Sequence, residues 1–297
     1  MKLKVFKTLW GHVGTTDDAI AACKAGPFDG IEGPAPEDAA KRSEFRKKLK
    51  GAGLDYIAEI CTAGSYVPNR EASPADHLKS LAGKAQEAME CGPLFLSIIA
   101  GCDAWPVSQS VDFFGAATQL TEKIGITASF ETHRSRSLFN PWTTRDILEQ
   151  LPALKITCDF SHWCVVCERL INTEPDVLQL CAQRAHHIHA RVGYDQGPQV
   201  PHPAAPEYGA ALKAHEEWWT LIWRSQLMRE MAVSTLTPEF GPDGYLQCRP
   251  FTREEVADLA EINLWMAKRL RERFHDSFEE DYVAGPGGGD FSHASAR

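Results

Sequence analysis

The sequence lacks the features that mark membrane proteins, secreted proteins and nucleic-acid-binding proteins. No run of about 18 apolar residues occurs, and the first residues, MKLKVFKTLWGH, contain no apolar signal-peptide core. The 31 basic residues are outnumbered by 40 acidic ones, and a formal net charge of -9 argues against a nucleic-acid surface. We therefore expect a cytoplasmic protein with neither a nucleic-acid nor a membrane partner.

Disulfide and nucleotide-binding patterns are also missing. The nine cysteines are scattered without a framework spacing, which is typical of reduced thiols. Cys164 and Cys167 form a C-x-x-C pair, but no second pair follows at zinc-site spacing. Neither G-x-G-x-x-G nor G-x-x-x-x-G-K-[ST] occurs, so the sequence gives no support for a dinucleotide site or a P-loop.

The chain does contain a regular alternation of eight strand-like segments with eight helical ones. Its 297 residues and 43% hydrophobic composition suit one large globular domain. The alternation favours parallel strands joined by right-handed crossovers, and a closed (β/α)8 barrel typically needs about 250 residues. We predict an α/β fold, a single-domain TIM barrel over residues 1–280, followed by a disordered tail at 281–297.

The sequence predicts the bounds of two helices in the second half of the chain. Thr252 and Glu255 form a capping-box pattern, which predicts that the last helix starts there and runs to about Phe274. A long helix is predicted over 207–232, and its tryptophan stripe belongs either to the core or to a homo-oligomer interface. The stripe consists of Trp218, Trp219 and Trp223.

Four segments of the second half carry ionisable side chains towards the C-terminal end of a predicted strand. They are ITASFETHRSR, KITCDFSH, HHIHARV and TLTPEFGP. Because successive side chains on a strand point to opposite faces, Glu131 and His133 should point the same way. A parallel barrel brings the C-terminal ends of its strands to one site. The residues that we expect to meet there are Glu131, Asp159, His189 and Glu239.

Three carboxylates and one imidazole indicate a site for one divalent metal ion. This donor set suits Mn²⁺, Mg²⁺ or Co²⁺, and Zn²⁺ is also possible. The alternation of the strand puts His187 on the same face as His189, so either histidine is a candidate for the fourth ligand. Glu32 and Glu59 end earlier predicted strands, where a site role and a salt bridge both remain open.

The chain resembles the xylose isomerase-like TIM barrels, the sugar isomerase and epimerase group. The segments that carry the resemblance are, in this order, FETH, CDFSH, HIHAR and TPEFG. The resemblance covers about residues 3–274. It implies a metal bound by Glu, Asp, His and Glu at the four positions above, and HIHAR favours His189 over His187 as the ligand. It also implies that Glu131 and Glu239 are the catalytic acid and base and that His162 touches the substrate.

The resemblance and the donor set together predict an enzyme for a small-molecule carbohydrate. We expect a metal-dependent isomerase or epimerase that acts on a ketose or related polyol ketone by proton transfer through a metal-stabilised enediolate. A metal-dependent lyase or dehydratase acting on a keto-sugar or keto-inositol would use the same residues and is the alternative. The predicted substrate-binding residues are His133, His162, Arg191, Glu59 and His187.

Two departures from the ketose 3-epimerases and two less favoured functions complete the prediction. Ser137 stands where those enzymes carry a second Glu, and Asp195 stands where they carry an Arg. A non-catalytic sugar-binding barrel is one of the other functions. An endonuclease IV-like nuclease is the second, and it would need further histidine ligands, for which only His12 and His77 are available early in the chain. The Pro-rich loop 194–206 is predicted to cover the substrate.

Overall fold

The computed structural model describes residues 1–242 and 244–283, and these form a closed barrel of eight parallel strands. Each strand pairs with its neighbours in sequence, and the last strand closes on the first through the pairs Lys2–Val233 and Val5–Leu236. The strands are β1 (Lys2–Thr8), β2 (Gly30–Gly33), β3 (Asp55–Cys61), β4 (Leu96–Ile99), β5 (Ala128–Glu131), β6 (Ile156–Cys158), β7 (Ala185–His189) and β8 (Val233–Thr237).

Helices follow the strands and form the outer layer. They are α1 (Thr16–Ala25), α2 (Ala39–Ala52), α3 (Pro74–Cys91), α4 (Val107–Ile124), α5 (Pro141–Gln150), α6 (Ser161–Val166), α7 (Pro175–Arg184), α8 (Gly209–Met228) and α9 (Leu259–Val283). The predicted single-domain (β/α)8 barrel is confirmed. The short α6, which comes between β6 and α7, has no counterpart in the predicted elements.

Side-chain caps account for where several helices start. The side chains of Thr15 and Ser73 each accept a hydrogen bond from the backbone N–H of the third residue of the helix, and their own backbone N–H groups donate to the carboxylate of that residue. Asn140 caps α5 by accepting from the backbone N–H of Thr143, so this helix begins at Pro141.

The prediction for the last helix was wrong at its start. α9 begins at Leu259, and residues 250–258 form an irregular loop. Phe251 and Arg253 have positive φ angles of 67° and 61°, which are incompatible with a right-handed helix. The predicted tail 281–297 begins within the last turn of α9, and its remainder, 284–297, lies outside the described residues.

The tryptophan stripe of α8 lies in the core. Trp218, Trp219 and Trp223 are 4%, 1% and 0% exposed. Trp223 packs edge-on against Phe274 of α9, with ring centroids 5.2 Å apart. Removing a side chain buried to this extent typically costs about 3–5 kcal/mol of stability. The stripe therefore stabilises the contact of α8 with its neighbours, and the interface alternative is not needed.

None of the helices in the described ranges has both the length and the hydropathy needed to span a bilayer.

Candidate active site

Four ionisable side chains converge at the C-terminal ends of β5 to β8. One ligand atom from each of Glu131, Asp159, His189 and Glu239 lies within 4.8 Å of the other three. His189 Nδ1 is 3.0 Å from Glu239 Oε2 and 3.5 Å from Glu131 Oε1. All four residues are buried. The arrangement follows from the barrel, because the end of each parallel strand points its last side chains to the same rim.

His189 is oriented by Glu32 from across the barrel. His189 Nε2 lies 3.0 Å from Glu32 Oε1, and Nδ1 has no hydrogen-bond partner among the described residues. A proton on Nε2, donated to Glu32, leaves the lone pair of Nδ1 directed at the carboxylates. Carboxylate–histidine pairs of this kind fix the ring and the tautomer of metal-binding histidines.

His187 lies one layer deeper, and both of its ring nitrogens are engaged. Nε2 lies 3.0 Å from Glu32 Oε2, and Nδ1 lies 2.8 Å from Thr235 Oγ1. Phe6 and Phe95 cover the ring. The geometry favours His189 as the ligand, because His187 has no nitrogen directed at the carboxylates of Glu131, Asp159 and Glu239.

Arg191 adds a buried positive charge beside the four residues. Its guanidinium donates to Asp159 Oδ2, and Nη2 also lies 2.7 Å from His162 Nε2 and 3.8 Å from Glu239 Oε2. Asp159 further accepts a hydrogen bond from the backbone N–H of Ser161 at 3.0 Å. These contacts fix the orientation of Asp159, and Arg191 offsets part of the negative charge of the three carboxylates.

Two other groups of potential ligands meet the same distance criterion but are less suited to a cation. In the first, Glu32, His187 and His189, the two Nε2 atoms already serve the hydrogen bonds to Glu32. In the second, Glu131, His133 and His162, the Nε2 of His162 faces the guanidinium of Arg191 at 2.7 Å. A second cation there would sit against an existing one.

The residues present fit the metal ion that the sequence predicts. His189 Nδ1, which faces Glu239 and Glu131, is a buried atom with no hydrogen-bond partner within the described part of the chain. Leaving such atoms unpaired costs free energy, which a bound cation would recover. Three carboxylates and one imidazole also match the ligand preference of Mn²⁺, Mg²⁺ or Co²⁺, and they are compatible with Zn²⁺.

Burial shifts the protonation of the carboxylates. Burial raises the pKa of Glu131 to about 7, although the His189 imidazole opposes the shift. Burial also raises the pKa of Glu59 to about 8, helped by the nearby carboxylates of Glu239, Glu32 and Glu131. At neutral pH, Glu59 therefore carries a proton and is a hydrogen-bond donor.

The histidines are shifted in opposite directions. Burial opposes the charge of His189, but the three surrounding carboxylates outweigh burial and raise its pKa well above the ordinary value. Burial and neighbouring positive groups hold the pKa values of His133 and His162 well below the ordinary value. Without a cation the chain therefore keeps an imidazolium at His189, and a bound cation would have to displace its extra proton.

A cavity of about 210 Å³ opens above the cluster. This volume lies below the range of about 300–1,000 Å³ that is typical of drug-sized ligands, so the cavity suits a small metabolite. Aromatic rings form its cover: Tyr245 stands 4.7 Å from Trp10 and 6.2 Å from Tyr66, measured between ring centroids. The lining residues are Trp10, Glu59, Cys61, Ser65, Tyr66, Ile99, Glu131, His133, Arg191, Glu239 and Tyr245.

Three of the five predicted substrate-binding residues line this cavity, namely Glu59, His133 and Arg191. The other two, His162 and His187, lie behind the wall. The ring of His162 stacks on His133 with centroids 3.9 Å apart, and its Nε2 is taken by Arg191. His162 contacts His133 and Arg191, and His187 contacts Glu32, so a substrate contact for these two histidines stays a prediction.

The loop 194–206 does not form the cover, contrary to the prediction. Gln199 makes two hydrogen bonds with the backbone of Gly241, at 2.8 and 3.1 Å, and residues 197–200 are buried. The loop supports the turn after β8, and the cover comes from the segments after β1, β3 and β8.

Of the early histidines, His77 is buried against Trp105 and His12 contacts the backbone of Thr15.

Comparison with solved structures confirms the resemblance at the level of the fold. An L-ribulose 3-epimerase matches with a TM-score of 0.65 and 11% identity, over 96% of this chain and 99% of that one. A xylose isomerase-like TIM barrel protein from Mycobacterium smegmatis in complex with magnesium matches with a TM-score of 0.61 and 10% identity, over 92% and 97%. No protein-family model and no curated sequence matches this chain.

Other structures with this fold are described with different activities. A probable 3-DHS dehydratase from Bacillus anthracis matches with a TM-score of 0.58 and 13% identity, over 91% of this chain and 99% of that one. A family 2 AP endonuclease from Brucella melitensis matches with a TM-score of 0.56 and 13% identity, over 89% and 98%. At these identities the likeness shows the fold alone, so function has to be argued from the site.

Proposed function

We propose that the chain is a divalent-metal-dependent isomerase or epimerase that acts on a small ketose or a related polyol ketone. The observation that carries the proposal is the convergence of one atom each from Glu131, Asp159, His189 and Glu239 within 4.8 Å, beside a small cavity that Glu131 and Glu239 line. The named activity of the L-ribulose 3-epimerase with the same fold is consistent with it.

The four converging residues would hold the cation, and Glu32 would keep His189 in the binding orientation. A divalent cation bound there supplies Lewis-acid polarisation of a carbonyl and its neighbouring hydroxyl. Arg191 and Ser161 keep Asp159 in place through hydrogen bonds to opposite oxygens. The chain thus provides a rigid donor set, and the ligand residues need no rearrangement between substrates.

Glu131 and Glu239 are the proposed acid and base. Both line the cavity, and one comes from β5 and the other from β8. Glu131 Oε1 faces His189, while Oε2 has no hydrogen-bond partner among the described residues. One oxygen is therefore available as a ligand and the other to accept the proton beside the substrate carbonyl. General-base catalysis by a positioned carboxylate is typically worth about 10²–10⁴-fold.

The rest of the cavity suits a neutral polyhydroxylated molecule. Glu59, protonated at neutral pH, would donate a hydrogen bond to a substrate oxygen. His133, whose pKa burial holds well below the ordinary value, would stay neutral and bind a hydroxyl group. Trp10, Tyr66 and Tyr245 offer ring faces and edges to the C–H groups of a sugar, and they exclude water from the reacting carbon.

The test is solvent exchange with the metal-loaded chain. A panel of ketoses and keto-inositols would be incubated in D₂O and followed by NMR. We expect deuterium at the carbon next to the carbonyl, together with an epimer or an isomer. Glu239→Gln should abolish the exchange, and Glu90→Gln, which removes only a carboxylate paired with Arg42 on the outer helices, should leave it unchanged.

Other outcomes would redirect or refute the proposal. An unsaturated product formed with loss of water would assign the lyase alternative, which uses the same residues. Turnover without any deuterium incorporation would indicate hydride transfer between carbons and would contradict the enediolate. Saturable sugar binding without chemistry across the panel would favour a non-catalytic binding barrel.

A further inference from the structure

Arg136 is a fully buried cation without a carboxylate partner in the described part of the chain. The residue is 0% exposed and follows β5 by five positions. Burial lowers its pKa to about 10, so the guanidinium stays charged at neutral pH. Burying a charge costs free energy unless hydrogen bonds compensate, which raises the question of what this side chain holds.

Main-chain carbonyl groups from two loops surround the guanidinium. Nη1 donates to Thr62 O at 2.8 Å and to Gly101 O at 3.2 Å, Nε donates to Tyr66 O at 3.2 Å, and Nη2 donates to Ser65 O. Three of these carbonyls belong to the segment that follows β3, and the fourth belongs to the segment that follows β4. Arg136 therefore ties the ends of β3, β4 and β5 together above the barrel.

The segment held in this way contributes directly to the cavity. Ser65 and Tyr66 line it, although Tyr66 is 46% exposed. The chain enters the segment through two residues with positive φ angles, Ala63 at 43° and Gly64 at 133°. A short exposed segment with such a backbone needs an external anchor to keep one conformation.

We propose that Arg136 is a positioning residue for substrate binding: its guanidinium fixes the main chain of residues 62–66 so that Ser65 and Tyr66 cover the cavity. The inference rests on the proposed function for the identity of the ligand, but the anchoring itself does not. The planar fork of arginine presents five N–H donors in fixed directions, whereas lysine has three donors on one atom and cannot reach both loops.

The first test is hydrogen exchange in Arg136→Lys and Arg136→Met, followed at the amides of Ser65 and Asn69. These amides donate to Val67 O and Ala63 O within the segment. Because several charge-assisted hydrogen bonds are lost, we expect exchange there to accelerate by roughly tenfold or more. Metal affinity should stay unchanged, since Arg136 touches none of the four proposed ligands.

Arg42→Lys is the matched control. Arg42 is also buried, at 7% exposed, and donates to the carbonyls of Pro36 and Glu37 on the outer helical layer. This variant should lower global stability by a comparable amount without changing exchange at Ser65 or Asn69. Wild-type exchange rates at both amides in folded Arg136→Lys and Arg136→Met would overturn the proposal.

If neither Arg136 variant folds, amide hydrogen exchange in the wild-type chain tests whether residues 62–66 are anchored. The amides of Ser65 and Asn69 should then be protected to a similar degree as that of Thr62, which donates to Ile99 O at the end of β4. Unprotected amides at both positions would contradict an anchored segment.

Kinetics separate this proposal from the proposed function. With an active sugar, Arg136→Lys should raise KM by about tenfold with little change in kcat, because the variant loosens the cover without altering the acid and base. Faster exchange without turnover of any sugar would leave the anchoring standing and refute the function. An unchanged KM in a variant with faster exchange would show that the cover does not position the substrate.

Discussion

The two halves of the barrel contribute differently to the site. The strands β5 to β8 end in the four proposed metal ligands, which come from one strand each. The strands β1 to β4 and the segments after them supply Trp10, Glu59, Tyr66 and Ile99 to the walls and cover of the cavity. The second half therefore supplies all four proposed ligands, whereas the two halves share the walls and cover of the cavity, to which the second half adds His133, Arg191 and Tyr245.

Glu32 is the connection between the two halves. It lies on β2, yet its carboxylate contacts His187 and His189 on β7 and receives a hydrogen bond from Thr237 on β8. Burial opposes its charge, but the two imidazoles outweigh burial and hold the pKa of Glu32 well below the ordinary value. It is therefore an ionised carboxylate inside the barrel, stabilised by the ring that it orients.

The largest loss of activity should come from replacing a proposed metal ligand in the second half of the barrel. Glu239→Gln removes one carboxylate donor and one proposed base, so we expect weaker binding of Mn²⁺ and a loss of activity of at least about 10²–10⁴-fold. Circular dichroism should show an intact barrel, because Glu239 lies after β8 and outside its hydrogen-bond ladder. Full activity in this variant would remove Glu239 from the mechanism.

The next largest effect, on metal affinity, should come from replacing Glu32, which links the two halves of the barrel. Glu32→Gln keeps the size of the side chain but turns one of the two oxygens that face His187 and His189 into an NH₂ donor. His189 therefore loses its fixed tautomer. Loss of such an orienting carboxylate typically costs about 10–100-fold in metal affinity. Glu59→Gln on the neighbouring strand is the control, because Glu59 makes neither a hydrogen bond nor an ion pair with His189 among the described residues. Equal affinities in the two variants would argue against the orienting role of Glu32.

A smaller, selective effect is expected from the cover. Tyr66→Ala should raise KM by about tenfold and leave metal affinity unaltered, because Tyr66 packs on Tyr245 and His133 but on none of the proposed ligands. Tyr208→Ala should behave as wild type, because Tyr208 packs on Tyr194 and does not line the cavity. A fall in metal content in Tyr66→Ala would show that the two halves are not separable as described.

The smallest effect should come from Glu59→Gln. Because the pKa of Glu59 is raised to about 8, this side chain is a neutral acid at pH 7, and an amide reproduces its size and its donor. Activity at pH 7 should stay within a few-fold of wild type. Ionisation as the pH rises through 8 turns the wild-type donor into an acceptor, so wild type should lose activity there that the Gln variant keeps. Superimposable pH profiles would contradict the donor role.

The sequence predicted the features that follow from strand periodicity and chain order. Eight alternating units implied the barrel, and polar residues at strand ends implied that Glu131, Asp159 and His189 would meet. It failed where a contact depends on loop conformation. Nothing in the pattern around Tyr66 or Tyr245 distinguishes a cavity cover from a surface turn, and the proline content of 194–206 suggested the wrong loop. The left-handed residues Phe251 and Arg253 likewise override a capping box.

The partners of the more deeply buried side chains could not be predicted from the sequence, for a different reason. Periodicity gives the face on which a side chain lies but not its depth, so it leaves His187 and His189 equivalent. The structure separates them at Nδ1, which meets Thr235 in His187 and the carboxylates of Glu131 and Glu239 in His189. The same limit applies to Arg136, whose four carbonyl acceptors come from segments 35 to 74 residues earlier in the chain. A single sequence contains no signal for acceptors that only the closed barrel assembles.

The central claim, that one divalent cation is held by the ends of β5 to β8, is tested most directly by calorimetric titration of chelator-treated chain with Mn²⁺, Mg²⁺, Co²⁺ and Zn²⁺. Performing it in buffers of different ionisation enthalpy measures the protons released. We predict one ion per chain for at least one of these metals. The extra proton of His189 should be released, and below pH 7 the proton of Glu131 should follow, so that affinity falls more steeply as the pH is lowered. Absence of saturable binding for all four metals, or binding that Glu239→Gln leaves unchanged, would contradict the account.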